Sequence, residues 1–555
     1  MNSDCKFYVF REGRRTVPGE QLLTGLRGSL FRAKDEDSWT DAMLRCGELE
    51  CALEDAGDPQ ARHVAAVSNA CADKLVHRDY FGGRELGGWL PVRLEGEVTV
   101  ATPEGFAYYA LHPRQYADVA AKFGVFRHGA KTHEAAPEVV VIGIRSIGTT
   151  LSAMTTAALR LRGLHVERFT VRPAGHPFDR KVKFNPAQSH TIRTARLQDA
   201  LFVIVDEGPG LSGSSFLSVA EALVAERVPS GQIVLVPNHA PHLPWLRANN
   251  AAVRWQRYRT VTPAAGRSPE GEWIGGGEWR KKTFANESEW PGVWTSMERA
   301  KFADDRVLWK FEGIGPYGAR ARSTARALAD AGFAPNAVRD EHGYVGYDLI
   351  RGRAAKAQDL SDERLKRIAE YCAFRSEECK TEVTEAQQKD LATMLRVNYE
   401  RGFDRKLAPQ FRNLPVERPT VCDGKMSPHE WLLTEDGRML KLDATSHGDD
   451  HFFPGPCDVA WDLAGAIVEW GMDRATGEQF LRQYTALTGD NVTGRMRNYL
   501  LAYAMFRMAW THMAAAAMKG TAEATRLMRD SDHYREYVSG LVMGAAKAVP
   551  VARAS

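Results

Sequence analysis

Two adjacent acids followed by a run of small residues carry the densest chemistry in this 555-residue chain: LFVIVDEGPGLSGSSF, residues 201–216. Asp206 and Glu207 can accept hydrogen bonds from vicinal hydroxyls. Gly208, Gly210 and Gly213 let the backbone turn sharply, and Ser212, Ser214 and Ser215 set hydroxyls beside the free N–H groups of a helix start, which together make an anion cradle. Two carboxylates above such a cradle suit a sugar that carries a phosphate. A second loop precedes it in VVVIGIRSIGTTLS (139–152), where Gly143 and Gly148 have P-loop spacing but threonines stand where that loop requires lysine, which argues against an NTPase. Ile144, Arg145, Ser146, Ile147 and Gly148 instead form a short strand-to-helix turn suited to pyrophosphate.

The second half has its own constellation. RVLWKFEGIGPYG (306–318) places Lys310 on a strand with apolar neighbours, and VCDGKMSPHEWLL (421–433), GRMLKLDATSHGDD (437–450) and GPCDVAWDLAGAI (455–467) follow in that order. A strand lysine can reach nucleotide phosphates, a loop Asp such as Asp423 can orient a substrate hydroxyl, and an Asp closing the next strand, Asp443, can hold Mg²⁺. His447, Asp449, Asp450 and His451 have the spacing of a metal cluster, but the expected reading of that segment is a solvated loop.

The elements that must position these residues follow from the hydrophobic pattern. Short β-branched runs alternate with helical segments from residue 138: strands over 138–144, 164–171, 200–207 and 232–237, helices over 149–163 and 214–226, the signature of a doubly wound parallel sheet. The intervening stretch 172–200, basic at Arg172, Arg180, Lys181, Lys183, Arg193 and Arg196, is long and irregular enough to be a flap. Phe106, Tyr108 and Tyr109 are expected in a core. Helical stretches are expected over roughly 319–333 and 361–400, and the second half as a whole reads as a separate α+β unit.

The 201–216 run resembles the ribose-phosphate motif of the type I phosphoribosyltransferases. That resemblance implies that Asp206 and Glu207 meet the ribose hydroxyls of phosphoribosyl pyrophosphate, that Ser212, Gly213, Ser214 and Ser215 hold its 5-phosphate, and that residues 144–148 bind pyrophosphate with Mg²⁺. The stretch from the acids to the Ser-Gly pair is one residue longer here, so which acid meets which hydroxyl stays open. The loop also resembles that of phosphoribosyltransferase-like proteins of bacterial tellurite-resistance and stress operons. The second half resembles the aminoglycoside phosphotransferase-like kinases, which implies ATP as its nucleotide, Asp423 as the catalytic-loop acid, Asp443 as the metal ligand, Lys310 as the phosphate lysine, and Asp458 and Asp462 as structural acids. The family's metal-binding Asn has no clear counterpart. His429 is the nearest polar candidate, and an active enzyme and a scaffold both stay open.

Composition sets the frame. Apolar residues at 44% and charged residues at 26% describe a folded globular chain, and 73 basic against 70 acidic residues leave a net charge of +3, no footprint for nucleic acid. Cysteines 5, 46, 51, 71, 372, 379, 422 and 457 are scattered, which suits a reducing cytoplasm, and Arg507 and His512 interrupt the most apolar late stretch, which argues against a membrane span. The expected organisation is an N-terminal region and possible hood (1–100), a phosphoribosyltransferase-like domain (101–260), a linker (261–292) and a kinase-like domain (293–555). The expected function is glycosylation of a nucleobase-like or other small acceptor from phosphoribosyl pyrophosphate by a cytoplasmic enzyme, a homodimer by resemblance. A non-catalytic sensor of that ligand and a small-molecule kinase are the alternatives.

Overall fold

The computed structural model describes residues 7–91, 93–123, 137–264 and 266–542. Cys5 lies outside them, as do residues 124–136 of the expected phosphoribosyltransferase-like domain. Contacts divide the chain into two units, a first comprising Gly13–Ser268 and Gly313–Gly318, and a second comprising Met1–Glu12, Pro269–Glu312 and Ala319–Ser555.

In the first unit three helices, α1 (Gly19–Arg32), α2 (Glu36–Ala56) and α3 (Ala61–His77), precede an α/β core. Asp35 caps α2 with a reciprocal side-chain exchange with Ser38, and Gly57 ends it in the left-handed conformation. The core runs β1 (Val139–Ile144), α4 (Ile147–Leu161), β2 (Val166–Val171), β3 (Ala174–His176), β4 (Asp179–Lys181), α5 (Pro186–Arg196), β5 (Leu201–Val205), α6 (Ser214–Ala225), β6 (Ile233–Val236) and β7 (Arg259–Thr260). Its central sheet is five-stranded and parallel, in the order β2-β1-β5-β6-β7. The wholly apolar runs VVVIGI and LFVIV form the buried central strands, as continuous β-branched sequence does when both faces are covered. Val140, Ile142, Phe202 and Ile204 pack with α5 and α6 residues such as Ile192, Phe216 and Val219. A Cβ on Gly143 would lie 2.5 Å from Gly148 O and from Ser152 Oγ, so α4 sits directly against β1.

One expectation is corrected here. The 172–200 stretch is not irregular: β3 and β4 form an antiparallel hairpin, and Asn185 caps α5, which buries Ile192 and Ala195. Residues 13–100 belong to the same unit as the sheet, and Phe106 and Tyr108 are buried in it as expected.

The second unit opens with β8 (Glu272–Trp273), β9 (Lys301–Ala303), β10 (Val307–Phe311), α7 (Ala319–Asp330), β11 (Ala337–Glu341) and β12 (Tyr344–Asp348). These strands make an antiparallel sheet in the order β8-β9-β10-β12-β11. The segment 261–292, expected as a linker, is divided between the two units and contributes β8 to this sheet. A mostly helical half follows: β13 (Gly352–Ala354), α8 (Asp362–Glu378), α9 (Glu385–Phe403), β14 (Pro419–Val421), β15 (Trp431–Thr434), β16 (Met439–Lys441), β17 (Pro456–Asp458), α10 (Ala460–Glu469), α11 (Arg474–Thr488), α12 (Thr493–Ala517) and α13 (Ala522–Val542). Trp431, Trp461, Tyr371, Tyr499 and Tyr503 are fully buried in its core. Phe7–Glu12 completes this unit: Asn398 Oδ1 accepts from Tyr8 N at 2.6 Å, Asn398 Nδ2 donates to Tyr8 O at 2.8 Å, and Arg11 N donates to His451 O at 2.9 Å. Among the described residues no helix is long and apolar enough to cross a membrane.

Candidate functional site

In the second unit, strand register brings two lysines together. Lys301 on β9 is paired directly with Lys310 on β10, the third strand of the sheet in chain order. Lys310 Nζ donates to Ser446 Oγ at 2.7 Å, lies 3.1 Å from Glu312 Oε1, and pairs with Asp443 Oδ1. Lys301 Nζ reaches Glu298 Oε1 at 2.9 Å and Asp443 Oδ2 at 3.0 Å. Asp443, two residues beyond β16 and held at φ 53°, therefore has one lysine on each oxygen. Burial would raise its carboxyl, but Lys301 and Lys310 outweigh that and hold it well below the usual carboxylate range. The helix after β10, α7, contains no glutamate; the acid beside Lys310 is Glu312, two residues along from it.

The second half of the site is a buried charge network. Asp462, in the first turn of α10, accepts from the N–H groups of Asp423 at 2.8 Å and Gly424 at 3.0 Å and so aims that loop. Arg375 of α8, 1% exposed, donates to Val421 O at 2.7 Å and Ala444 O at 2.8 Å and lies 3.7 Å from Asp462. Asp423 accepts from the Tyr371 hydroxyl and lies 3.3 Å from Lys441 Nζ; burial opposes its ionisation, but the Lys441 and Arg375 charges outweigh it and keep it charged. Glu430 sits 2.5 Å from Lys425 and 3.0 Å from Lys441, which bring it down to about 2 against the effect of burial. His447 stands between the acids, Nε2 3.6 Å from Asp443 and Nδ1 4.0 Å from Asp423.

These groups meet a cavity of about 370 Å³ with both polar and apolar walls. Ile274, Ala303, Leu308, Leu432 and Leu442 supply aliphatic surface, Trp279, Trp294 and Trp510 aromatic surface, and Lys301, Lys310, Glu430, Asp443 and His447 the charge. Asp423, expected as the acid that meets substrate, is 1% exposed and does not line the cavity; His447 and Glu430 do. The expected counterpart of the metal-binding Asn is also displaced. Glu430, not His429, has a ligand atom within 4.8 Å of those of Asp423 and His447, while the His429 ring lies nearly parallel to Trp279 with centroids 6.2 Å apart. His451 stacks on Phe10 at 5.3 Å, so it does not join His447 in a metal cluster. Asp458 accepts from the N–H groups of Glu417, Arg418 and Ala460 and pairs with Arg495 at 2.9 Å, a structural role. Lys301, Glu298, Lys441, Arg375 and Tyr371 were missed in the sequence.

In the first unit, β1 and β5 are adjacent and both turns of interest leave their C-terminal ends. A Cβ on Gly148 would lie 2.5 Å from Val205 O and 3.2 Å from Oδ1 of the half-buried Asp206, so only glycine brings these turns together. Burial pushes Asp206 up to about 7; burial, then the Asp206 charge, pushes Glu207 up to about 8. The serine turn is partly closed by its own chain. Ser214 Oγ donates to Pro177 O in the β3–β4 turn at 2.6 Å, and Ser212 Oγ accepts from Ser214 N at 3.1 Å, which leaves Ser215 as the hydroxyl without such a bond. Gly213 holds the turn at φ 70°. Of the residues expected at pyrophosphate, Ile144 and Ile147 are buried, Ser146 has the strained φ of 103°, and Arg145 is committed to Glu54 at 2.8 Å and Asp55 at 3.1 Å of α2. Arg145 is thus occupied by α2 acids in the structure and not free in the turn as expected.

The two raised carboxyls have a consequence for stability. Both take up protons more readily in the folded chain than unfolded, so folding binds protons between about pH 4 and 8 and stability falls as pH rises through that window. Asp206→Asn with Glu207→Gln should raise the melting temperature at pH 8 by on the order of 5 °C, with the gain shrinking toward pH 4. A gain that grows on acidification would contradict the assignment.

No protein-family profile matches the chain, and no curated protein does. Solved structures similar to it include a choline/ethanolamine kinase family protein from Mesorhizobium loti, 15% identical over 45% of this chain and 88% of that one, TM-score 0.31. Choline kinase LicA from Streptococcus pneumoniae is 16% identical over 43% and 89%, TM-score 0.31, and macrolide 2'-phosphotransferase MphH from Brachybacterium faecium 16% over 42% and 88%, TM-score 0.28. These likenesses lend nothing to the phosphoribosyltransferase reading.

Proposed function

We propose that the second unit is a phosphotransferase that passes the terminal phosphate of a nucleoside triphosphate to a hydroxyl of a small molecule. The observation that carries this reading is the pair of lysines from adjacent strands converging on an ionised Asp443 at a mixed cavity. Lys301 and Lys310 would exchange the Asp443 carboxylate for phosphate oxygens, which frees that carboxylate for a cation. Asp443 is a hard oxygen donor at the cavity wall and so fits Mg²⁺, which binds through one or two carboxylates and substrate phosphates. Bound there, Mg²⁺ would neutralise charge on the transferring group. The Asp423–Glu430–His447 group fits a cation less well, because Lys441 already sits within 3.3 Å of both acids. His447 is the group of that cluster placed to take the acceptor's proton, with Asp423 behind it. The experiment is incubation of the full chain with ATP labelled in its terminal phosphate and cell extract; label recovered on a small acceptor is expected, and nucleotide neither bound nor consumed overturns the reading.

A second reading concerns the first unit, where Asp206, Glu207 and Ser215 support binding of a ribose phosphate such as phosphoribosyl pyrophosphate. The half-buried Asp206 and Glu207 carboxylates at the sheet's C-terminal edge favour it. Asp206→Asn with Glu207→Gln should weaken binding of phosphoribosyl pyrophosphate at least tenfold by calorimetry, as loss of charged acceptors does. Undiminished binding would refute the site, and tight binding without turnover over a panel of bases would make it a sensor.

A further inference from the structure

The segment joining β8 to β9 carries three consecutive glycines and places an anion where a ligand's anion could go. Glu298 accepts three charge-oriented bonds: from Gly277 N at 2.6 Å on one oxygen, and from Trp279 Nε1 at 2.8 Å and Lys301 Nζ at 2.9 Å on the other. A backbone amide, an indole N–H and an ammonium converging on one point make a hole for an anion of any source. Trp279, Glu298 and Lys301 all line the cavity that holds Lys310 and Asp443.

The hole is built and not accidental. Gly277 has φ 88°, and a Cβ there would lie 2.6 Å from Arg280 Nη2, so its amide is aimed by a conformation that only glycine takes without strain. Arg280, 4% exposed, donates to Gly277 O at 2.8 Å and Pro291 O at 2.7 Å and pairs with Glu523 of α13 at 2.8 Å, which fastens the segment. The donors are therefore preorganised, and the ligand they hold is the chain's own carboxylate.

We propose that Gly277 N–H, Trp279 Nε1 and Lys301 form the subsite for an outer phosphate of the nucleotide, and that Glu298 fills it from within until nucleotide displaces it. This rests on the phosphotransfer reading, because the same cavity must receive the nucleotide. An internal competitor lowers apparent affinity by the fraction of time that it occupies the subsite. It also prefers no particular base, so its effect must scale with the phosphates a nucleotide carries.

The test is calorimetric titration of the full chain with ATP, ADP and AMP. Glu298→Gln keeps the side chain's shape and removes its charge; it should bind ATP and ADP about tenfold more tightly and AMP with unchanged affinity, the size expected for removing a charged hydrogen-bond competitor. Glu298→Asp, shorter by one methylene and safer for folding, should give a smaller gain of the same pattern. Affinity for ATP unchanged or weakened in the folded variants overturns the proposal, since Glu298 would then only order the segment. An equal gain for AMP overturns it too, because that would report a loosened loop. If neither wild type nor variants bind any nucleotide, the phosphotransfer reading falls with it; if wild type binds and no variant gains, only the subsite falls.

Discussion

Asp443→Asn is expected to cut phosphate transfer by about 10³-fold or more, a loss typical of removing a preorganised charge at a transferring group. Among the described residues Asp443 is the carboxylate engaged by both Lys301 and Lys310, and amide replacement removes the charge that a cation would need while leaving the lysines free for phosphate. Nucleotide binding should therefore survive and turnover should not. Measuring the two separately, by calorimetry and by release of labelled phosphate, distinguishes this from a folding defect. Turnover within tenfold of wild type would remove Asp443 from the reaction. Asp206→Asn serves as the control, with transfer expected to be unchanged.

Arg375→Met should destabilise the second unit by about 3–5 kcal/mol, the range for breaking a buried ion pair by removing one partner. The guanidinium satisfies two carbonyls, contacts the Tyr371 hydroxyl at 3.2 Å and faces Asp462. Asp462 is already pushed up to about 6, first by burial and further by the charge of Asp423, with Arg375 the main opposing influence. Without Arg375 its carboxyl would take up a proton and its grip on the Asp423 and Gly424 amides would weaken. Chemical denaturation should show the loss, and a change under 1 kcal/mol would sink the account. Arg474→Ala, at an exposed pair with Glu478, should leave the midpoint where it was.

The contrast between local and long-range order explains what could be read from residues alone. The strand ending at Val205, the Gly213 turn and the helix from Ser214 are encoded within 16 consecutive residues, and each element forms within two residues of its expected bounds. Lys310, Asp423 and Asp443 were legible by order along the chain, and the structure brings Lys310 and Asp443 together. The rest depends on register. Lys301 matters because β9 pairs with β10 so that it faces Lys310, and no local pattern states that pairing. Glu430, and not the expected His429, has a ligand atom near those of Asp423 and His447, a juxtaposition that neighbouring positions in the sequence do not distinguish. Arg145 and Ser214 looked free because the sequence does not show α2 supplying Glu54 and Asp55, or the hairpin supplying Pro177 O. The glycine triplet at 275–277 read as a linker because its partner Glu298 lies 21 residues on.

Tyr8 bonds to Asn398 across 390 residues of sequence, with the whole of Gly13–Ser268 in between. On the ribosome, at about 5–20 residues per second, the opening peptide must wait tens of seconds for its partner to be made. The parallel sheet can assemble during that delay, while the second unit stays incomplete until Asn398 and the elements around it have been made. A gene cut at residue 260 or 293 would deprive that unit of Phe7–Glu12, so its expression on its own calls for grafting that segment back.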